Sequence, residues 1–404
     1  MRTLLLGGSV FDGSGAPPER ADVAIEGDRI VGLGTGLDGD QAIDATGRTI
    51  LPGMIDAHVH AVVSGVDTLR LMQEPFSYQF FGAARNLART LDCGITTVRD
   101  AGGADLGVKQ ATTDGLIDGP ELSIAVTVLG QTGGHTDGWM VNGQCMHLLV
   151  EHPGRPSGIV DGPEEMRRRV RELIRAGADV IKVCTSGGVL SPRDDPRHPQ
   201  FRPDELEMCV REAAAAGIGV MAHAQGKPGI INALDAGVRS IEHGIFLDDE
   251  CIERMLETGT WLVPTLLAPH ALLEDIAGGS SLPDAVIAKA RLVAAIHKDN
   301  VGKAMAAGVR IAMGTDSGVF RHGRNLDELE LMREAGLPPA QCLTSATSEA
   351  AKLLQLDGEI GRVAPGFRAD LTLVGGDPFD FIEYRERITH VLKRGRVVRA
   401  ATPA

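Results

Sequence analysis

Between residue 54 and about residue 318, eight short apolar runs recur, separated by segments with helical patterns. They read MIDAHVH, GITTVRD, LSIAVTVLG, DVIKVCTSGG, GVMAHAQG, SIEHGIF, TWLVPTL and VRIAMGTDSG. Short runs alternating with helices point to parallel strands joined by helical crossovers. Eight units over about 260 residues match the usual size of a (β/α)8 TIM barrel, and the count favours that arrangement over a doubly wound sheet. Three helices are clearest, at 162–178, 202–218 and 283–309. Two of them open with Pro and acidic residues and close near Gly, as helix caps favour.

The flanks differ in texture. Residues 1–52 carry alternating and β-branched runs broken by Gly and Asp, and the C-terminal runs ADLTLVGGDPFD and ITHVLKRGRVVRA resemble them. Residues 1–52 and 358–404 are therefore expected to pair into one small β-sandwich domain beside a barrel over 53–357. The 404-residue chain is 43% hydrophobic but only 3% aromatic, with 51 glycines, so its core must rest on Ala, Val, Leu and Ile. A net charge of −14 argues against nucleic acid and anionic membranes as partners. The six cysteines form no C-x-x-C pair, which fits reduced thiols. No apolar segment approaches a membrane span, and the leading leucines are too few for a signal-peptide core. A cytoplasmic protein is the expectation.

His58 and His60 stand one residue apart at the end of the first run, so on a strand both side chains project from the same face. Taken alone, such a pair is more readily an ordinary surface or core feature than a ligand pair. The other runs change that balance. Lys182, His223, His243 and Asp316 each lie near the C-terminal end of an apolar run, just before glycines or a loop. Barrel enzymes place their chemistry at that end of the strands. A lysine inside an apolar strand also needs a reason, since burying an unpaired charge is costly.

The motifs PGMIDAHVH, ITTVRD, VIKV, MAHAQG, IEHG and GTDSG, with the tail ATSEAAKLLQLDGEIGRVAPGFRADLTLVGGDP, resemble the amidohydrolase superfamily of metal-dependent hydrolases over nearly the whole chain. Lys182 together with GGHTDGW and TSGGVLSP looks most like its imidazolonepropionase-like and Xaa-Pro-dipeptidase-like branch. That resemblance implies two divalent metal ions, with zinc suiting the donors. His58, His60 and Asp316 would hold one ion, and His223 and His243 the other. A carboxylated Lys182 and a hydroxide would bridge them. Asp316 would also take the proton of the attacking hydroxide and pass it to the leaving amine.

His135 in GGHTDGW would bind substrate or stabilise the oxyanion. Gln225 lies two residues beyond His223 and would face the same pocket, where many relatives carry Tyr. Arg321, His322 and Arg324 would either grip an anionic substrate end or form a solvated basic loop. Arg99 and Asp100 read as a structural pair, and Cys184 as a small apolar filler. His147, His152, His198, His270, His297 and His390 take no role.

The implied activity is cleavage of a C–N amide bond in a dipeptide or N-acyl amino acid. Cyclic amides, ureas or carbamates, and esters, including amide-containing toxins or xenobiotics, remain alternatives. A deaminase fits less well, because Lys182 is unneeded there. A non-catalytic scaffold fits least, because all six ligands are present. The family resemblance further implies a homo-oligomer acting on a small molecule.

Overall fold

The structure is a computed structural model that describes residues 1–400 apart from 192, 280 and 281. Seven of the eight apolar runs form strands. Met54–Val59, Ile95–Asp100 and Glu121–Ile124 are parallel neighbours in one sheet. Val128–Leu129, Val180–Cys184, Gly219–Ala224, Ser240–His243 and Trp261–Val263 are parallel neighbours in a second.

The third run departs from the single strand expected. It breaks between Ile124 and Val128, where Val126 adopts a left-handed φ of 66° and Thr127 N–H turns back to the Ala125 carbonyl at 2.8 Å. The two sheets still touch there, since Asp179 N–H donates to the Ile124 carbonyl at 2.8 Å.

The eighth run forms no continuous ladder, yet it bonds in both directions. Ala312 N–H donates to the Leu262 carbonyl at 3.1 Å, Ala57 N–H to Met313 at 2.8 Å, and Asp316 N–H to His58 at 2.8 Å. Isolated parallel bridges join Leu262 to Ile311 and Val59 to Ser317.

The three clear helices span Pro163–Arg175, Pro203–Ala215 and Asp284–Ala307. Each stops short of a glycine with positive φ: Gly177 (92°), Gly217 (76°) and Gly308 (88°). A residue without Cβ enters the left-handed region at little cost, which ends a helix. Among the described residues no helix is long and apolar enough to cross a membrane.

The flanking segments form two sheets. One orders Arg29–Gly34, Asp22–Glu26, Arg2–Leu6 and Gln41–Asp44. The other orders Arg396–Ala400, Ile388–Lys393, Leu371–Gly375, Arg48–Pro52, Ser9–Val10 and Glu19–Arg20, so chain from both ends is interleaved. Leu5, Val23 and Ile30 from the first sheet share a buried cluster with Ile50, Leu373 and Leu392 from the second. Fully burying each such side chain is worth roughly 1.5–3 kcal/mol.

Candidate metal centre

His58, His60 and Asp316 come together as the sequence suggested. Among the described residues they form a group whose ligand atoms all lie within 4.8 Å of one another. Asp316 Oδ1 is 3.4 Å from His58 Nε2 and 3.3 Å from His60 Nε2. The outer ring nitrogens are held from behind. His58 Nδ1 is 2.7 Å from Glu242 Oε2, and His60 Nδ1–H donates to the Gly102 carbonyl at 2.8 Å. A carbonyl or carboxylate can only accept, so each contact places a proton on Nδ1 and turns Nε2 inward, toward Asp316, as the atom that would meet a metal.

His223 and His243 are also held through one ring nitrogen each, with the nitrogens exchanged in His223. His223 Nε2–H donates to the Gly187 carbonyl at 3.2 Å, which leaves Nδ1 free. His243 Nδ1 pairs with Thr265 Oγ1 at 2.7 Å, which leaves Nε2 free. Ring centroids run 5.1 Å from His58 to His243 and 4.7 Å from His243 to His223. Burial holds both rings well below the ordinary histidine pKa, with neighbouring positive groups adding to the effect. A neutral imidazole is the form that binds a metal.

Lys182 sits on the neighbouring strand and lines the same cavity. It is 2% exposed, and its Nζ has no hydrogen-bond partner. Burial pushes its pKa down. An orphaned ammonium is expensive in such a place. A carbamate on Nζ would convert it to a carboxylate beside the neutral His223 and His243, so this orphaned atom fits the bridging group that the resemblance implies.

Two further features mark the strand ends as specialised. Asp316 and His243 both adopt left-handed backbone conformations, with φ of 63° and 72°. For residues other than glycine this is strained, and strain of this kind clusters at functional sites. Burial would raise the Asp316 pKa, but the charge and hydrogen bonds of His58 and His60 hold it well below the usual carboxylate range. Asp316 is thus ionised and able to accept a proton.

The centre opens into a cavity of about 390 Å3. His135 lines it, stacked on His223 at 4.5 Å between centroids. Gln225 lines it too, 5% exposed, with a buried Oε1 that has no partner.

Arg321 and His322 do not line it. Arg321 is exposed, and His322 is buried behind the first strand, where Nδ1 meets Thr90 Oγ1 at 3.1 Å and Nε2 meets the His60 carbonyl at 3.2 Å. With both ring nitrogens engaged by protein, His322 has none left for a substrate, so the substrate-gripping role expected for this pair is corrected. Arg324 is tied to Glu274 and Asp327.

Arg99 and Asp100 are structural but do not pair with each other. Successive strand residues point to opposite faces, so Arg99 reaches Glu242 at 2.9 Å while Asp100 accepts the Ala61, Gly102 and Ala104 amides. Cys184 is buried, and burial pushes its thiol up to about 12, as an inert filler should be.

Sequence reasoning missed Glu242. Its signal was a carboxylate inside the apolar run SIEHGIF, which could be buried only with a partner. Burial would raise its pKa, but Arg99 and His58 hold it down to about 2. His297 was also passed over. It is buried, lines the cavity, and bonds the His243 carbonyl through Nε2 at 2.9 Å.

Comparison with known proteins gives this site a context. The model of the amidohydrolase family matches residues 49–398. The ochratoxinase of Aspergillus niger is 33% identical over 98% of this chain and 86% of its own. The imidazolonepropionase of Cutibacterium acnes is 28% identical over 95% of this chain and 91% of its own. Among solved structures, a Xaa-Pro dipeptidase with bound methionine superposes with a TM-score of 0.90 at 34% identity, covering 99% of this chain and 100% of that one. By the extent of these matches the chain belongs to the amidohydrolase family, hydrolases that act on amide bonds.

Proposed function

We propose that the chain is a binuclear metal-dependent amidohydrolase that cleaves the C–N bond of a dipeptide or N-acyl amino acid. The observation that carries this reading is the convergence of His58, His60, Lys182, His223, His243 and Asp316 on one cavity, with the Lys182 Nζ buried and unpartnered. His58, His60 and Asp316 would hold one divalent cation and His223 and His243 a second, with carboxylated Lys182 between them. Bound cations of this kind, zinc suiting the donor set, supply a hydroxide at neutral pH and polarise the scissile carbonyl.

The chain's own residues do the rest. Asp316, ionised and beside the two histidines, takes a proton from the attacking oxygen and returns it to the leaving nitrogen. His135 meets the carbonyl oxygen as charge develops on it. Gln225 offers its side-chain amide, whose Oε1 has no partner, to the substrate.

The supporting frame is read as a closed (β/α)8 barrel over 53–357, with the eighth run completing the ring. Residues 1–52 and 358–404 are read as a β-sandwich domain. The bonds from 312–316 to strands on both sides, and the core shared by the two terminal sheets, support these readings.

The cavity lining favours a second reading of the substrate. Leu148, Leu149, Val286 and Val293 give its wall apolar surface, and by the family resemblance Gln225 stands where many relatives carry Tyr. A bulky amide or ester of the xenobiotic or toxin kind suits such a wall, and one of the similar proteins is named for ochratoxin.

The test is metal content per chain, paired with hydrolysis of a panel of dipeptides, N-acyl amino acids and aryl amides, with and without chelator. Close to two metals and chelator-sensitive cleavage is expected. No tightly held metal after reconstitution with bicarbonate would overturn the proposal.

A further inference from the structure

The His135 side chain is fixed by a network outside the metal ligands. Its Nδ1 is 2.7 Å from Ser191 Oγ and 3.4 Å from Asp194 Oδ2. Ser191 has one proton, and it goes to Asp194 Oδ1 in a short hydrogen bond. Its lone pairs therefore face the ring, and Nδ1 must be the donor. Asp194 is itself pinned. Its Oδ2 accepts Gly188 N–H at 3.1 Å and Gln200 Nε2 at 3.2 Å.

Lys289 reaches in from helix Asp284–Ala307 and ties the loop down. Its Nζ lies 2.7 Å from the Gly188 carbonyl, 2.5 Å from Ser191 O, 3.0 Å from Asp194 O and 3.4 Å from Asp194 Oδ1. Gln200 Oε1 closes the circuit by accepting the His135 amide at 3.0 Å. The ring lies against Gly188, where an added Cβ would sit 2.5 Å from Nδ1 and 2.6 Å from Nε2. His135 Nε2 has no partner among the described residues.

We propose that Asp194 is a positioning residue for the reaction: acting through Ser191 and clasped by Lys289, it holds the His135 imidazole in the Nδ1–H form with Nε2 left for the substrate. The inference rests on the reading that His135 meets substrate in this cavity. The arrangement follows the logic of a catalytic histidine held in one tautomer by a buried carboxylate. A ring that only filled space would not need a carboxylate, a hydroxyl and a lysine to orient it.

The test uses Asp194→Asn, which preserves shape but offers an amide that donates as well as accepts. The first readout is the imidazole 15N spectrum of the zinc-loaded protein labelled at histidine, with His135 assigned by its loss in His135→Asn. The wild type is expected to show the Nδ1–H tautomer, and Asp194→Asn a mixture or the Nε2–H form. A wild-type Nε2–H ring, or a spectrum unmoved by the substitution, overturns the proposal.

The second readout is kinetic, on whichever panel substrate is cleaved. Asp194→Asn is expected to lower kcat at least tenfold, toward the roughly 10⁴-fold loss of a triad histidine deprived of its buried aspartate, with little change in KM. Adding Asp194→Asn to His135→Ala should cost nothing more. Losses that multiply would show Asp194 acting apart from His135, and the proposal would fall. Failure of the amidohydrolase reading looks different: wild-type protein would then hold no metal and cleave nothing, while the 15N spectrum recorded on the metal-free protein would still decide the tautomer.

Discussion

His58 Nδ1 and Glu242 Oε2 meet at 2.7 Å where their side chains are 1% and 0% exposed. Glu242 is also the partner of the buried Arg99 guanidinium, with Ser240 Oγ donating to its other oxygen at 2.5 Å. One carboxylate thus aims a proposed ligand and neutralises a buried charge.

Glu242→Gln keeps the shape and removes the charge. Metal affinity is expected to fall about 10–100-fold, the usual effect of losing an outer carboxylate behind a ligating histidine. Leaving Arg99 buried without its counter-ion should cost stability as well, about 3–5 kcal/mol. Chelator competition and urea unfolding measure the two effects. Unchanged metal affinity would show that His58 does not ligate through the orientation Glu242 sets.

Lys182→Ala should release at least one metal per chain and remove nearly all activity, with partial recovery on adding short carboxylic acids. Asp316→Asn should instead retain much of the metal and abolish turnover, because an amide cannot take up the proton. Elemental analysis and initial rates separate the two. Full activity and two metals in Lys182→Ala would exclude a bridging role.

Gly188→Ala should disable His135 without touching the metal ligands. The backbone at Gly188 does not require a left-handed conformation, so the effect is purely steric, the new Cβ pressing on the imidazole. We expect wild-type metal content and a kcat reduced at least about tenfold, since outright loss of a single oxyanion donor costs roughly 10²–10³ in kcat. Near-normal turnover would mean that the ring can move aside without consequence.

His322 bears on acid sensitivity. Burial holds its pKa down to about 4, whereas a free histidine titrates near 6.5. Between those values the unfolded chain binds the extra proton, so this residue makes stability fall as pH drops from 6.5 toward 4. His322→Gln should flatten the slope of unfolding free energy by up to about 1.4 kcal/mol per pH unit. Urea titrations of metal-free protein between pH 6.5 and 4.5 give that slope, and superimposable slopes for the two proteins would contradict a buried neutral His322.

Much of the site was legible because it obeys local rules. The i, i+2 alternation of a strand puts His58 and His60 on one face, and the loss of apolar character at each strand end exposes Lys182, His223, His243 and Asp316 as out of place. The helices were legible for the same reason, down to the glycines that stop them. The third run misled because nothing in LSIAVTVLG announces that Val126 turns left-handed; its neighbours there are set by tertiary contacts.

What the sequence by itself determined is the alternating order of strands and helices, and which polar residues stand at strand ends. Tertiary structure alone decided their partners. His58 and Glu242 are 184 positions apart, and His135 and Asp194 are drawn together by a loop clasped from Lys289 on a distant helix. His322 turned out to lie behind the His60 backbone instead of before the substrate. The physical reason is that periodicity specifies the face of a strand or helix a side chain occupies. The stagger between strands and the path of the loops, settled only when the whole core packs, specify what that face meets.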